Sequence, residues 1–283
     1  MTLAQALQQS AHILSSNGID DSHIEARMLL AHITKLSPVQ IYTQPERVLN
    51  QEQEGNLQEL VERRICREPA AYIVKHREFY GIDFYVDSRV LIPRPETELL
   101  VDMALEFTSS TYLARPLLIA DIGTGCGAIA VSLALNLPNS KIYATDVSLL
   151  ALEVARLNCE HHKVTDRITL LQGNLLEPLP EHVDLLVANL PYIKSSELAT
   201  LSPEITKFEP RMAIDGGKSG LDYIRQLLEQ TKERINNKGC LLLEIGQNQE
   251  KELDNLIRSC LGRANFRFTS DLNGVKRVVK INF

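Results

Sequence analysis

The clearest indication of the fold is one stretch, LLIADIGTGCG, at residues 117–127. Its apolar start predicts a short buried strand, and the glycines that follow allow a sharp turn into a helix. An acidic residue, Asp146, lies nineteen residues past Gly127, at the end of the next predicted strand. This GxGxG loop with a later acid indicates an adenosine-type cofactor, whose ribose hydroxyls would donate hydrogen bonds to the acid. A glycine turn that only packs a strand against a helix is the alternative.

From residue 116 onward, strand and helix patterns alternate along the chain. The predicted strands are residues 117–122, 141–146, 168–172, 183–188, 239–245, 264–270 and 275–283. Helices are predicted after the glycine loop up to residue 137, and at residues 148–162 and 220–236, with one more before the last two strands. Continuous apolar strands joined by helices are typical of a parallel sheet that is covered on both faces. The fold class is therefore predicted to be α/β, with a Rossmann-like sheet.

Two other patterns precede this alternation. Residues 1–75 carry apolar positions at helical spacing, helix-capping residues such as Thr2, and no strand pattern. They predict a small all-helical domain. Residues 76–92 are rich in aromatic and branched side chains between short breaks, which predicts a β-hairpin that joins two domains. A helix is predicted to begin near Glu96, and residues 93–283 would form the larger domain.

Composition excludes several classes of protein. The 283 residues are 44% hydrophobic and 23% charged, which excludes a mostly disordered chain. No apolar run is long enough for a transmembrane helix, and the first residues lack a signal-peptide pattern. Five scattered cysteines without a CxxC pair argue against a zinc site or a disulfide framework and favour a reducing, cytoplasmic setting. A net charge of −6 argues against general nucleic-acid binding through phosphates.

A second motif, Asn189-Leu190-Pro191-Tyr192, directly follows the predicted strand at residues 183–188. Because the carboxyl ends of parallel strands meet at one edge of a sheet, it faces the same crevice as the glycine loop. The Asn189 side-chain oxygen and the Leu190 carbonyl can each accept one N–H of a planar NH2 group. Pro191 restricts the backbone before it, and Tyr192 offers a ring face for stacking. The motif predicts a pocket that aims a nitrogen at an electrophile, with an ordinary turn as the alternative.

These residues together resemble the class I S-adenosylmethionine-dependent methyltransferases that alkylate planar nitrogens. Within that group the chain resembles the protein-(glutamine-N5) methyltransferase family, which modifies peptide-chain release factors, and the resemblance extends essentially from end to end. It is carried by EPAAYI at 68–73, REFYG at 77–81, LIPRPETE at 91–98, DIGTGCG at 121–127, EPR at 209–211, and the glycines at 216, 217 and 220. The LIPRPETE stretch is the most specific of these, whereas many methyltransferases share the glycine loop.

The resemblance implies S-adenosyl-L-methionine as cofactor and a peptide-chain release factor as protein substrate. The methyl group would go to the side-chain amide nitrogen of the glutamine in a Gly-Gly-Gln motif, held by Asn189, Leu190, Pro191 and Tyr192. Cofactor-binding roles are implied for Gly123, Thr124, Gly125, Cys126, Gly127, Asp146, Asn174, Leu175, Glu96 and Thr97. Residues 1–75 would recognise the protein substrate. No metal, no direct nucleic-acid binding and no membrane association are expected.

Two positions depart from the family pattern. Leu190 stands where the family usually has proline, so the motif keeps its carbonyl and loses some backbone rigidity. Lys75 stands where the family commonly has glycine, two residues before Arg77, and the sequence alone gives no reason for it. Cys126, inside the glycine loop, fits either a reactive thiol near a helix start or a small residue in a tight loop, and the second interpretation is favoured.

Three other functions stay open on the sequence alone. An adenine-N6 methyltransferase acting on nucleic acid would use the same Asn-x-Pro-Tyr chemistry, although the acidic net charge and the helical N-terminal domain argue against it. A nucleotide-dependent oxidoreductase is expected to carry GxGxxG, which this loop lacks. A non-catalytic binding module that kept the fold is the third, and only the departure at Leu190 favours it.

Overall fold

A computed structural model of the protein describes residues 1–109 and 115–283, and it divides the chain into two compact units. The first, which we call the helical unit, comprises Met1–His76 together with Ser202–Phe208. The second, the sheet unit, comprises Arg77–Leu201 and Glu209–Phe283. A short stretch in the second half of the sequence therefore belongs to the N-terminal unit.

The helical unit contains five N-terminal helices, where the sequence predicts an all-helical domain. They are α1 (Leu3–Ser16), α2 (Ser22–Thr34), α3 (Pro38–Thr43), α4 (Gln51–Ile65) and α5 (Ala70–Val74). Three of them begin with a reciprocal capping box, in which Thr2, Ser37 and Asn50 each pair with a glutamine three residues later. Local side-chain chemistry therefore sets these helix starts, and the apolar stripes of the helices are buried against one another.

A helix from the second half of the sequence, α9 (Pro203–Phe208), completes the helical unit. The guanidinium group of Arg64, which is only 5% exposed, donates hydrogen bonds to Glu25 on α2 and to Glu204 on α9. Arg67 also donates to Glu204, at 3.3 Å. Because a buried guanidinium group must be paired, these carboxylates bind α9 to α2 and α4. The sequence did not predict this helix.

The sheet unit is built on seven strands in the order β5-β4-β3-β6-β7-β9-β8. They are β3 (Leu117–Ile122), β4 (Ser140–Asp146), β5 (Ile168–Gln172), β6 (Val183–Ala188), β7 (Ile235–Glu244), β8 (Asn265–Ser270) and β9 (Lys276–Asn282). Five helices of this unit are α6 (Glu98–Ser109), α7 (Ala128–Asn136), α8 (Leu149–His161), α10 (Asp222–Thr231) and α11 (Glu250–Leu261). The chain order reverses between β3 and β6, and ligands bind at such a point in α/β sheets.

The sheet differs from the predicted all-parallel sheet at one edge. Strands β3 to β7 are parallel, whereas β9 is antiparallel to both β7 and β8. Strands β8 and β9 are joined by a turn in which the Asp271 side chain accepts backbone hydrogen bonds from Asn273 and Val275. So short a connection can join only antiparallel neighbours, so the parallel prediction fails there.

Two predicted boundaries were also wrong. The helix predicted over 220–236 ends at Thr231, and Ile235 already belongs to β7, where it pairs with Val183. The predicted hairpin at 76–92 is shorter: β1 (Arg77–Phe79) pairs with β2 (Ile82–Phe84), and residues 85–92 form no strand. The apolar side chains of Val90 and Ile92 are buried from an irregular segment, which a pattern of residue types does not distinguish from a strand.

None of the helices within the described parts of the chain is long and apolar enough to cross a membrane.

Candidate active site

A pocket lies in the sheet unit where four parallel strands end. It encloses about 850 Å³, counted out to its open mouth. Gly123 follows β3, Asp146 ends β4, Asn174 follows β5 and Asn189 follows β6, and all four line the pocket. The chain order reverses at this place in the sheet, so the sequence elements singled out above share one crevice.

The glycine loop forms one wall through its backbone. The N–H groups of Gly123 and Thr124 both donate to the carbonyl of Thr145 at 2.9 Å, which binds the loop to the end of β4. Gly127 has φ +83°, and a side chain there would meet the Cβ of Ala155 on α8 at 3.3 Å. Gly125 lines the pocket with φ +55° and open space where a Cβ would lie. Glycine is therefore needed for the backbone conformation and for close access to the pocket.

Asp146 connects the glycine loop to the start of α8. Its two carboxylate oxygens accept one N–H each, from Gly125 and from Ser148, both at 2.9 Å. Burial raises the pKa of this carboxyl group, and the backbone hydrogen bonds partly oppose the rise. Each oxygen keeps capacity for a further donor, as a ribose diol requires.

Thr124 and Cys126, which were also predicted to bind the cofactor, pack inside the protein and do not line the pocket. Thr124 donates to Asp121 at 2.6 Å, and neither residue lines the pocket. Burial raises the pKa of Asp121 to about 7. Cys126 is 3% exposed, and burial raises the pKa of its thiol to about 12, so it stays protonated near neutral pH. This agrees with a small packing residue in a tight loop rather than a reactive thiol.

Asn174 and Leu175 form the side of the pocket next to β5. Leu175 is in the left-handed backbone region, with φ 51°, and its carbonyl accepts a hydrogen bond from the hydroxyl of Thr145. Its side chain is buried, and the Asn174 amide donates to Glu177 at 3.2 Å. Apolar surface beside a polar amide at this edge suits a flat heteroaromatic ring.

Asn189, Leu190 and Pro191 line the pocket next to β6, whereas Tyr192, whose ring was predicted to stack on the substrate, is not among the lining residues. The Asn189 side-chain NH2 donates to the hydroxyl of Thr97 at 3.1 Å. In the described part of the chain, nothing donates to the Asn189 side-chain oxygen or to the Leu190 carbonyl. The Leu190 side chain is 4% exposed and packs close to Gly123, so leucine joins this loop to the glycine loop by contact.

Thr97, Tyr192 and Glu244 lie behind Asn189. The sequence predicted no role for Glu244. The Tyr192 hydroxyl donates to Glu244 at 3.4 Å, and the hydroxyl of Thr97 also faces that carboxylate. Burial is the main cause that raises the pKa of Glu244 to about 7 and moves that of Tyr192 above its usual value. Glu96 and Thr97, predicted beside the cofactor, do not line the pocket. Glu244 is the last residue of a buried strand, as Asp146 is. An acid at that position is the sequence pattern that could have identified it as a candidate site residue.

A loop after the Asn-Leu-Pro-Tyr motif returns to cover the pocket. Pro210, Met212 and Ala213 line it, together with Tyr223 at the start of α10. Arg94, from the LIPRPETE stretch, donates to Glu209 at 2.5 Å, and the Glu209 side chain is almost fully buried. This ion pair fixes the loop next to Pro210, so two stretches distant in sequence meet at one wall. Within residues 1–109 and 115–283, no group of His, Cys, Asp or Glu is placed to hold a metal ion.

Comparison with known proteins agrees with this geometry. The PrmC N-terminal domain model matches residues 5–74, and the methyltransferase small domain model matches residues 100–207. Solved structures support the fold: a methyltransferase from Pyrococcus furiosus has a TM-score of 0.51 at 20% identity, covering 72% of this chain and 89% of its own. The hMettl16 catalytic domain, solved with the MAT2A 3′UTR hairpin 1, has a TM-score of 0.59 at 13% identity, covering 90% and 91%. The predicted Rossmann-like sheet with an N-terminal helical region is confirmed.

Two relatives match nearly the whole chain. The release factor glutamine methyltransferase of Rhodopirellula baltica is 36% identical over 283 residues, covering 99% of this chain and 96% of the relative. That of Geobacter sulfurreducens is 37% identical over 279 residues, covering 98% and 95%. Sequence identity of this extent across both units confirms the predicted resemblance: the chain is a methyltransferase and belongs to the release factor glutamine methyltransferase family.

Proposed function

We propose that this protein transfers a methyl group from S-adenosyl-L-methionine to the side-chain amide nitrogen, N5, of the glutamine in the Gly-Gly-Gln motif of a peptide-chain release factor. One observation supports this most strongly. The pocket lined by the glycine loop and Asp146 also holds two hydrogen-bond acceptors with no donor among the described residues, the Asn189 Oδ1 atom and the Leu190 carbonyl. Two acceptors on consecutive pocket residues match the two N–H groups of a primary amide in number and kind.

The residues of the pocket fit the cofactor that the family uses. The open space at Gly125 leaves room for a ligand close to the backbone, and Asp146 can accept from ribose hydroxyls. Asn174 and Leu175 would lie beside the adenine ring, and Gly123 would contact the amino-acid portion. When bound, S-adenosyl-L-methionine supplies an electrophilic methyl carbon.

The chain's own residues would do the remaining chemistry by orientation. An amide nitrogen is a poor nucleophile because its lone pair is delocalised into the carbonyl group. Asn189 and Leu190 would accept both N–H groups, which fixes the direction of the nitrogen and stabilises the positive charge that develops on it. Pro191 disfavours a helical conformation at Leu190 and so restricts the direction of its carbonyl, and the Tyr192 ring packs next to Gly246.

The helical unit would recognise the protein substrate. The described residues that line the pocket all lie in the sheet unit, which leaves the helical unit without a role in cofactor binding in this proposal. Four large apolar side chains of the helical unit are more than half exposed, those of Ile24, Val39, Tyr42 and Val48. Exposed apolar side chains that form a contiguous patch are typical of surfaces that bind another protein, and Val39 and Tyr42 lie three residues apart on one short helix.

Asn189→Ala tests the proposed function directly. Loss of one preorganised acceptor is expected to reduce the rate of methyl transfer about 10²–10³-fold, with S-adenosyl-L-methionine affinity nearly unchanged. The assay is transfer of labelled methyl to a release factor, with its Gln→Ala variant as control substrate and Asn273→Ala, at an exposed turn, as control enzyme. Near-normal turnover by Asn189→Ala would contradict the assignment of the pocket, and labelling of an adenine substrate instead would favour the nucleic-acid function.

A further inference from the structure

A buried carboxylate behind the pocket has no role in the function proposed above. Glu244 ends β7 and is 2% exposed, and its Oε2 atom accepts no hydrogen bond in the described part of the chain. Burial of a carboxyl group without full pairing is unfavourable, so an acid at such a place needs a compensating reason. Its neighbours provide one, because the two hydroxyl groups near it, those of Tyr192 and Thr97, belong to residues next to the proposed amide site.

The contacts form a chain from Glu244 to the pocket. The Asn189 side-chain NH2 donates to the Thr97 hydroxyl at 3.1 Å, which uses that oxygen as an acceptor. The single hydroxyl proton of Thr97 is then left for another acceptor, and the Glu244 carboxylate, whose Oε2 atom has no donor in the described part of the chain, lies near it. The Tyr192 hydroxyl donates to the Glu244 Oε1 atom at 3.4 Å. One carboxylate therefore orders residues at both ends of the Asn-Leu-Pro-Tyr loop.

We propose that Glu244 is a positioning residue for methyl transfer: as an acceptor it fixes the direction of the Thr97 hydroxyl, and through Thr97 it holds the Asn189 amide with Oδ1 turned to the substrate. This role depends on which group donates and which group accepts in each hydrogen bond. An asparagine amide can rotate by half a turn at little steric cost, which would present NH2 instead of oxygen to the substrate. A Thr97 hydroxyl that donates to Glu244 can only accept from Asn189, so the rotated amide is excluded.

Several charged groups face this carboxylate. Thr97, Tyr192 and Arg277 on β9 lower the pKa of Glu244, whereas Glu96 and, most of all, burial raise it to about 7. Arg94 and Arg277 act on Tyr192 in the same cluster. The ionised carboxylate is only an acceptor, whereas the protonated acid can donate to Thr97 and release its hydroxyl proton toward Asn189. The turnover number should therefore fall as the pH drops through about 7.

The decisive variant is Glu244→Gln, which keeps the shape and introduces a donor. It should lower kcat about tenfold or more, remove the fall of kcat below neutral pH, and leave S-adenosyl-L-methionine affinity within about twofold. Thr97→Val should give the same loss, and Thr97→Ser, which keeps the hydroxyl, should restore most of it. Glu229→Gln, on the exposed side of α10, is the matched control and should be indistinguishable from wild type.

The inference rests on the proposed role of Asn189, and a double-mutant cycle separates the two. In an Asn189→Ala background, Glu244→Gln should cause no further loss, because its effect passes through Asn189. Equal losses in both backgrounds would overturn the inference, as would a kcat of Glu244→Gln within about twofold of wild type. The activity of Asn189→Ala tests the proposed function separately from these outcomes. If Glu244→Gln does not fold, the Thr97→Val and Thr97→Ser pair decides, and equal activity of these two would overturn it.

Discussion

Asp146 shows how one side chain can serve both the fold and a ligand. Its two oxygens each accept one backbone N–H, from the glycine loop and from the residue just before α8. Those two bonds fix the carboxylate in one orientation before any ligand arrives. A ribose diol that donates to it would therefore meet an acceptor already in place, with little ordering cost.

We predict that Asp146→Asn weakens S-adenosyl-L-methionine binding. A charged hydrogen bond contributes about 1.5–3 kcal/mol, so the dissociation constant measured by calorimetry should rise about 10–100-fold. Because the raised pKa belongs to an acid that binds as the carboxylate, wild-type affinity should also fall as the pH drops toward that pKa. The variant should lose this pH dependence.

Asp166→Asn is the control for this prediction, since the Asp166 side chain is 78% exposed and lies outside the pocket. Its dissociation constant should equal that of wild type at every pH. An unchanged dissociation constant for Asp146→Asn would remove this residue from the proposed cofactor site.

At the scale of single elements, the end of α5 accounts for an unusual residue. Lys75 caps this helix in the left-handed region, with φ 57° and ψ 37°. That conformation closes the helix but crowds the Cβ of any residue other than glycine. The glycine that the family commonly has at this place therefore follows from backbone geometry, and the lysine is a strained substitute whose side chain is exposed.

Lys75→Gly should stabilise the protein. Relief of the left-handed strain exceeds the extra entropy of glycine in the unfolded chain, for a net gain of about 0.5–1 kcal/mol in the free energy of unfolding. Urea unfolding followed by circular dichroism measures it. Lys232→Gly, at the end of α10 with φ −58°, is the matched control and should destabilise by about as much. Equal effects of the two substitutions would show that the left-handed conformation carries no cost.

Elements with a strong local pattern could be predicted from the sequence, and those set by distant contacts could not. Strands β3, β5 and β6 have the predicted bounds, because each is a mostly apolar run between turn residues. The start of β7 was missed because Ile235 and Asn236 become strand only through β6: Ile235 pairs with Val183, and Asn236 donates to Asp184 at 2.8 Å. Glu244 was missed for a similar reason, since its partners come from residues far away in sequence.

At the scale of the whole molecule, the path of the chain links the two units. From the Asn-Leu-Pro-Tyr loop the chain leaves the pocket wall, enters the helical unit at α9, and returns to the wall at Pro210. In α9, Glu204 accepts hydrogen bonds from Arg64 and Arg67. Just after α9, Glu209 accepts a hydrogen bond from Arg94. Residues 202–208 therefore belong to the helical unit, while the residues on either side of them belong to the sheet unit.

We expect the helical unit to bind the protein substrate and the sheet unit to carry out methyl transfer. Val39 and Tyr42 lie three residues apart on α3, so they share one face, and they are 69% and 58% exposed. If the helical unit binds the release factor, replacing both by alanine should lower kcat/KM for the intact factor about tenfold or more, as losing two apolar contacts implies. A short Gly-Gly-Gln peptide, which reaches only the pocket, should be methylated as before.

Two controls make this outcome specific to the helical unit. Leu272→Ala removes a fully exposed apolar side chain from the turn between β8 and β9, and it should change the methylation of neither substrate. Unfolding curves of the double variant should match wild type, because neither side chain is buried. An equal fall for peptide and intact factor would mean that the substitutions act on the sheet unit. No fall for either would mean that this face of α3 does not contact the substrate, and the exposed side chains of Ile24 and Val48 would be the next to test.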